Sequence, residues 1–284
     1  MRELNKYSII ISVADSGLEG SQAKQYEDRV EACILQCTST VVGRAVIAKI
    51  RAHGRVVVIP YTNRFADKFK TGNLNAMSLS TDSSIEFNPL VRKYFDPVFA
   101  RSTNIVCFSP MRYDFMPASN ARFGAAGFSA PDILLHELVH AGRELGGDGR
   151  KDEKLRGSLA RYDDEGEYFA VLVTNIHMSE IGRQSPLGLN HANWGYPNTP
   201  RTNIRADHRV GELPPELTIS ENYLKVPENF ALVNKYWNQH PTIAPMIARS
   251  PARFNPIRCY SEWLNSGLPW WIPPGFNMKL FQRC

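Results

Sequence analysis

The chain is poor in cysteine. It has five in 284 residues, an odd number, with no zinc-knuckle spacing among them. This excludes a disulfide framework as the source of its stability and suits folding in a reducing compartment. Cys33 and Cys37, one helical turn apart, read as a buried reduced pair. No apolar run approaches the roughly 20 residues of a membrane span, so no integral membrane segment is expected. The short apolar run over 7–13 carries no cleavage signal and reads as a strand, so any export would use a route without a cleaved leader. An excess of basic residues is nearly absent too: the net charge is +5 and the pI near 8.9. With no arginine–lysine stripe and no interleaved aromatics, no nucleic-acid partner is expected. Internal repeats and glycine-rich phosphate loops are also missing.

What is present is ordinary for a folded chain with a full-sized core: 43% hydrophobic and 21% charged residues. The expected organisation is a core over 1–182 and a loop-rich extension over 183–284 packed on it. The extension is rich in Asn, Pro, Gly and Arg and shows one helix, over 227–238. Its aromatic end, with Trp263, Trp270 and Trp271, reads as a packing cluster. In the first half, strands are expected at 7–13, 55–61, 85–87 and 104–108. Helices are expected over 25–36 and in the second half of 38–50, where Gly43 allows close approach. Residues 63–84 read as a polar loop. Residues 110–127 read as irregular, with Tyr113 and Phe115 as packing residues.

The chemistry concentrates in residues 129–147, SAPDILLHELVHAGRELGG. Ser129 reads as a helix N-cap with Asp132 closing a capping box. Pro131 falls in the first turn, and Gly146 and Gly147 end the run. His136 and His140 are four apart, hence on one helix face a turn from each other. They can point two imidazoles at one ion while Glu137 reaches the same place from the flank. In such an arrangement two histidines hold zinc and the glutamate handles the proton of an attacking water. Seven histidines in the chain make a chance H-E-x-x-H uncommon, on the order of one in a hundred. The surrounding Ile133, Leu134, Leu135, Leu138 and Val139 bury the helix. Two histidines and a glutamate inside it call for a partner, either a metal or a hydrogen-bonded cluster among themselves.

Two histidines need a third protein ligand for a catalytic zinc. The candidates are Asp163, Asp164, Glu165, Glu167, His177, His191 and His208. A second helix is expected over 165–179, and a ligand on a helix crossing the first is held more firmly than one on a loop. Glu167 is favoured because Ala170, three residues on, lets the helices approach. Glu165 is next and would otherwise face solvent or support the ligands. His177 reads as a satisfied core histidine. A hydrogen-bond donor to the charge that develops on the substrate is also needed. His208 is the candidate, with Tyr162, His191 and Tyr196 competing.

The runs LLHELVHAGRELG and EGEYFAVLVTNI resemble zincin metallopeptidases of the gluzincin kind. TSTVVGRAVI, RVVVIPY and SSIEFNP resemble the segments upstream of the catalytic helix in the NleD-type secreted effector metallopeptidases of bacteria. The resemblance covers residues 35–174. It implies an α+β zincin-like fold, a mixed sheet packed against the H-E-x-x-H helix and a following Glu-bearing helix. It implies Zn2+ on His136, His140 and Glu167, Glu137 as general base, and Ala170 as the small residue after the third ligand. By the same resemblance the activity is cleavage of a peptide bond in a protein or peptide substrate. The implied setting is a bacterial protein secreted or passed into a target cell, otherwise cytoplasmic. A peptide amidase of the cell wall and an inactive zinc-stabilised interaction module are the alternatives. No third histidine follows in the extended metzincin form, Gly166 between two glutamates departs from the pattern, and residues after 182 match nothing in it.

Overall fold

The structure is a computed structural model and describes residues 1–14, 16–60, 76–79, 103–113, 129–149, 152–162, 164–182 and 219–267. Its centre is a mixed five-stranded sheet in the order β1-β2-β3-β5-β4. The strands are β1 (Arg2–Leu4), β2 (Ile9–Ile11), β3 (Arg55–Ile59), β4 (Ala76–Leu79) and β5 (Thr103–Phe108). β2, β3 and β5 run parallel, and β1 and β4 close the two edges antiparallel. The three inner strands are mostly apolar and almost wholly buried, as strands covered on both faces are; Val56, Val57 and Val58 on β3 are all buried.

Two helices cover the sheet before the H-E-x-x-H motif is reached: α1 (Gly20–Thr38) and α2 (Val41–His53). Thr40 caps α2 by accepting the Gly43 N–H at 3.0 Å. A Cβ on Gly43 would fall 1.8 Å from the Cys37 carbonyl oxygen, so the tight turn between α1 and α2 requires glycine there. Tyr26 on α1 donates to the Phe108 carbonyl at 2.9 Å, tying that helix to the end of β5.

α3 (Ala130–Leu145) and α4 (Glu165–Glu180) follow. α3 lies against β3, β4 and β5 on one side and against α1, α2 and α4 on the others. Ile133, Leu134, Leu135 and Leu138 are wholly buried by this packing. The result is the zincin-like α+β arrangement expected from the sequence, a sheet against a His/Glu-bearing helix and a second Glu-bearing helix.

Three local readings change. Residues 76–79, inside the segment read as a polar loop, form the edge strand β4. Residues 2–4 add β1, which the sequence pattern did not mark. Four helices rather than one occupy residues 220–265: α5 (Ser220–Lys225), α6 (Pro227–Gln239), α7 (Ile243–Ala248) and α8 (Pro256–Asn265). They join the same buried core as the sheet and α1–α4. Trp263 packs edge-on to Phe230 at 5.2 Å between ring centroids, as its reading as a packing residue required. Four cysteines, Cys33, Cys37, Cys107 and Cys259, are buried and free. Among the described residues no single helix is long and apolar enough to cross a membrane. The expected strand at 85–87, Phe115, Trp270, Trp271 and the side chain of Tyr113 lie outside the described residues.

Candidate metal centre

The capping of two helices sets the site. Ser129 Oγ accepts the Asp132 N–H at 3.4 Å and donates to the Asp132 carboxylate. The expected capping box is therefore completed through the hydroxyl rather than the Ser129 amide. Asp132 also lies 4.0 Å from His177 Nε2, and Thr40 Oγ1 is 2.8 Å from His177 Nδ1. His177 is thus a satisfied core histidine binding the start of α3 to α4 and α2. At its other end α3 stops at Gly146, and Gly147 takes the left-handed conformation at φ +76°.

Asp164 caps α4, accepting the Glu167 N–H at 3.1 Å. That bond fixes the first turn and leaves the Glu167 side chain free to face α3. Glu165 turns elsewhere and is buried, not solvent-facing. Its carboxylate accepts the Glu153 N–H at 3.1 Å and pairs with Lys235 of α6 at 2.7 Å. Gly166 between them has a steric cause. Asp152, ion-paired to Arg143 on α3, occupies the space a Cβ at 166 would need. Ala170, wholly buried, lies one turn along α4, the helix packed directly on α3.

His136, His140 and Glu167 come together with ligand atoms within 4.8 Å of one another. The two Nε2 atoms are 3.1 Å apart. Each faces one oxygen of Glu167 at 3.3 Å. The edge of a tetrahedron built on Zn–N and Zn–O bonds of 2.0–2.1 Å is about 3.3 Å. A charge-assisted hydrogen bond would be shorter, about 2.7–2.9 Å. The donor set, two imidazoles and a carboxylate, therefore fits a zinc-sized ion in both chemistry and spacing. His and carboxylate donors also suit manganese, iron or nickel.

The electrostatics favour positive charge at this point. Burial is the largest influence on His140 and would lower it, but Glu167, Glu137 and Glu144 together lift it to about 9. Burial would raise Glu167, yet His140 and His136 hold it well below the usual carboxylate range. Glu137, adjacent to His136, is 5% exposed. Burial pushes its carboxyl up to about 8, opposed by His140 and reinforced by Glu167 and Glu144. A cation at the cluster acts on Glu137 in the same downward direction as His140.

Three further residues gather here that the sequence pattern did not single out. The backbone of Ser78 on β4 lies close enough to Glu137 to oppose the upward shift of its carboxyl. Glu144, one turn past His140, accepts from Asn104 Nδ2 on β5 and from Ser78 Oγ at 3.3 Å. Ser78 Oγ also lies 3.0 Å from Asn104 Oδ1. Only the spacing of Glu144, four residues after His140 on the same helix face, was there to be read. Tyr162 is buried with its ring edge-on to Tyr168 at 5.0 Å between centroids. Asp163, His191, Tyr196 and His208 lie outside the described residues.

Comparison with protein-family models, with curated proteins and with solved structures finds no match. The chemistry of this centre is therefore assigned from its own side chains.

Proposed function

We propose that the chain is a zinc-dependent hydrolase of peptide bonds, acting on a protein or peptide. His136, His140 and Glu167 are its metal ligands and Glu137 its general base. The observation that carries this reading is the near-equal 3.1 and 3.3 Å spacing of the three donors, with a buried carboxylate next to the first of them. When bound, zinc supplies Lewis acidity, making water a nucleophile near neutral pH and polarising the scissile carbonyl. His136 and His140 present their Nε2 atoms from successive turns, and Glu167 supplies the negative charge. Glu137 takes a proton from the attacking water and returns it to the leaving amine, for which an acidity near neutrality is the useful one. β4 ends the sheet, with no strand beyond it among the described residues, and an extended substrate can pair with such an edge. His208 is the proposed donor to the oxygen that gains charge in the transition state. Delivery of the protein into another cell rests on the resemblance of residues 35–174 alone.

The test is Glu137→Gln, assayed for zinc content and for cleavage of casein together. The variant keeps stoichiometric zinc and the wild-type fold while turnover falls by roughly a hundredfold or more. Wild-type turnover in that variant would remove Glu137 from the mechanism. No turnover by the wild type on casein, cell lysate or peptidoglycan sacculi would leave a zinc-stabilised module instead.

A further inference from the structure

The acid–base side of the proposed reaction depends on where the Glu137 carboxylate points, and Glu137 sits on a helix that packs against a sheet edge. Those two elements come from distant parts of the chain, α3 (Ala130–Leu145) and β4 (Ala76–Leu79). An edge strand is held to its sheet along one side only, so its distance from the helix beneath needs a separate constraint. Glu144 provides a chemical link of that kind. Glu137, His140 and Glu144 follow one another at three- and four-residue steps along one face of α3. The Glu144 Oε2 atom receives Asn104 Nδ2 from β5 and Ser78 Oγ from β4, so one half-buried carboxylate oxygen joins three elements. Asn104 completes the ring through Oδ1, 3.0 Å from the same Ser78 hydroxyl. β4, whose Ser78 side chain is gripped in this way, packs directly on α3, the helix that carries Glu137, and the Ser78 backbone acts on the Glu137 carboxyl.

We propose that Glu144 is a positioning residue for hydrolysis: through Asn104 and Ser78 it locks β4 onto α3, and so sets how closely the β4 backbone approaches the general base Glu137. The proposal rests on the hydrolase reading above. Glu144 touches neither substrate nor metal in this scheme. What it needs is an acceptor oxygen, not a charge, because both of its partners are donors. The amide of glutamine keeps such an oxygen, whereas alanine does not.

The experiment compares Glu144→Ala, Glu144→Gln and Ser78→Ala with the wild-type chain. Zinc content, kcat and KM on labelled casein, and hydrogen exchange of the peptide covering 76–79 are measured on each. In Glu144→Ala, kcat falls roughly ten- to a hundredfold, the loss expected when a reacting group is displaced by a fraction of an ångström to an ångström. Zinc stays stoichiometric, and exchange at 76–79 quickens several-fold while the inner strands β3 and β5 keep their protection. Glu144→Gln restores most of kcat and the protection of 76–79. Ser78→Ala, which removes one hydroxyl and leaves the backbone N–H, gives an intermediate loss of kcat and decides the matter if the alanine at 144 fails to fold. Glu144→Ala with wild-type kcat per bound zinc, or with unchanged exchange at 76–79, overturns the proposal. Glu144→Gln as impaired as alanine overturns it as well, since charge would then be what matters. A wild type that cleaves nothing defeats the hydrolase reading instead, and the exchange measurement still reports whether Glu144 holds β4.

Discussion

Asp152 Oδ2 lies 2.6 Å from where a Cβ on Gly166 would sit. The carboxylate cannot easily give way, because Arg143 on α3 holds it in an ion pair. Gly166→Ala is therefore expected to lower stability by about 1–3 kcal/mol, the usual cost of overpacking. It is also expected to shift the first turn of α4 and weaken zinc binding through Glu167. Urea unfolding and zinc titration check the two effects; a variant as stable and as tight as wild type would show that Asp152 moves freely.

Glu165 and Glu167 separate by the partners they keep. Glu167 faces both histidines, whereas Glu165 serves Glu153 and Lys235. Glu167→Gln is expected to weaken zinc by more than about a hundredfold. Glu165→Gln is expected to leave zinc binding intact and to cost on the order of 1–2 kcal/mol of stability. Equilibrium dialysis against zinc, with thermal melts alongside, distinguishes them, and the reverse pattern would exchange the two assignments.

Metal binding couples to folding because the three donors come from two helices packed by the core. Only the folded chain brings them together. Treatment with a chelator is expected to lower Tm. Free zinc at about a hundred times its Kd restores about 2.7 kcal/mol. A melting temperature indifferent to zinc would argue for a hydrogen-bonded His–His–Glu cluster in place of a metal site.

His240 makes stability depend on pH through its contacts with Arg143 and Lys49. It ends α6 and is buried, with Nε2 2.9 Å from Arg143 Nη1 and Nδ1 2.7 Å from Lys49 Nζ. A neutral ring has one acceptor nitrogen to offer these two cations, and a protonated ring has none. Burial first, then Lys49 and Arg143, press its pKa down to about 4 from 6.5, with Asp148 opposing. The folded pKa is thus below the unfolded one. The stabilisation is complete above 6.5 and is lost as pH falls through 4, on the order of 3 kcal/mol in all. Asp152 acts in the opposite sense: burial lifts it to about 6 from 3.8 despite Arg143, so its contribution declines as pH rises across that window. The difference in unfolding free energy between wild type and His240→Gln isolates the histidine. A difference that stays flat from pH 7 to pH 4 would mean that the ring is charged in the folded chain.

Much of the scaffold was legible because its patterns are local. The apolar runs at 55–61 and 104–108 announced the strands β3 and β5. The Ser129 cap and the Gly146–Gly147 stop bracketed α3 to within a residue. β4 was not legible. Its four residues, AMSL, carry no decisive alternation, and its existence depends on pairing with β5, some 26 residues further on. The four helices after residue 219 were mostly missed for a related reason. Three of them have ten residues or fewer, and such short helices owe their stability to tertiary packing more than to propensity.

The sequence by itself determined that His136 and His140 share a helix face, because 3.6 residues per turn places residues four apart over one another. It also determined that Glu137 is their immediate neighbour and that glycines follow the helix. Only the tertiary structure decided that Glu167 rather than Glu165 meets the two imidazoles, and that Ser78 and Asn104 meet at Glu144. Those outcomes depend on how α4 is rotated against α3 and on how closely β4 approaches. Both are set by packing between segments distant in the chain, which no local periodicity encodes.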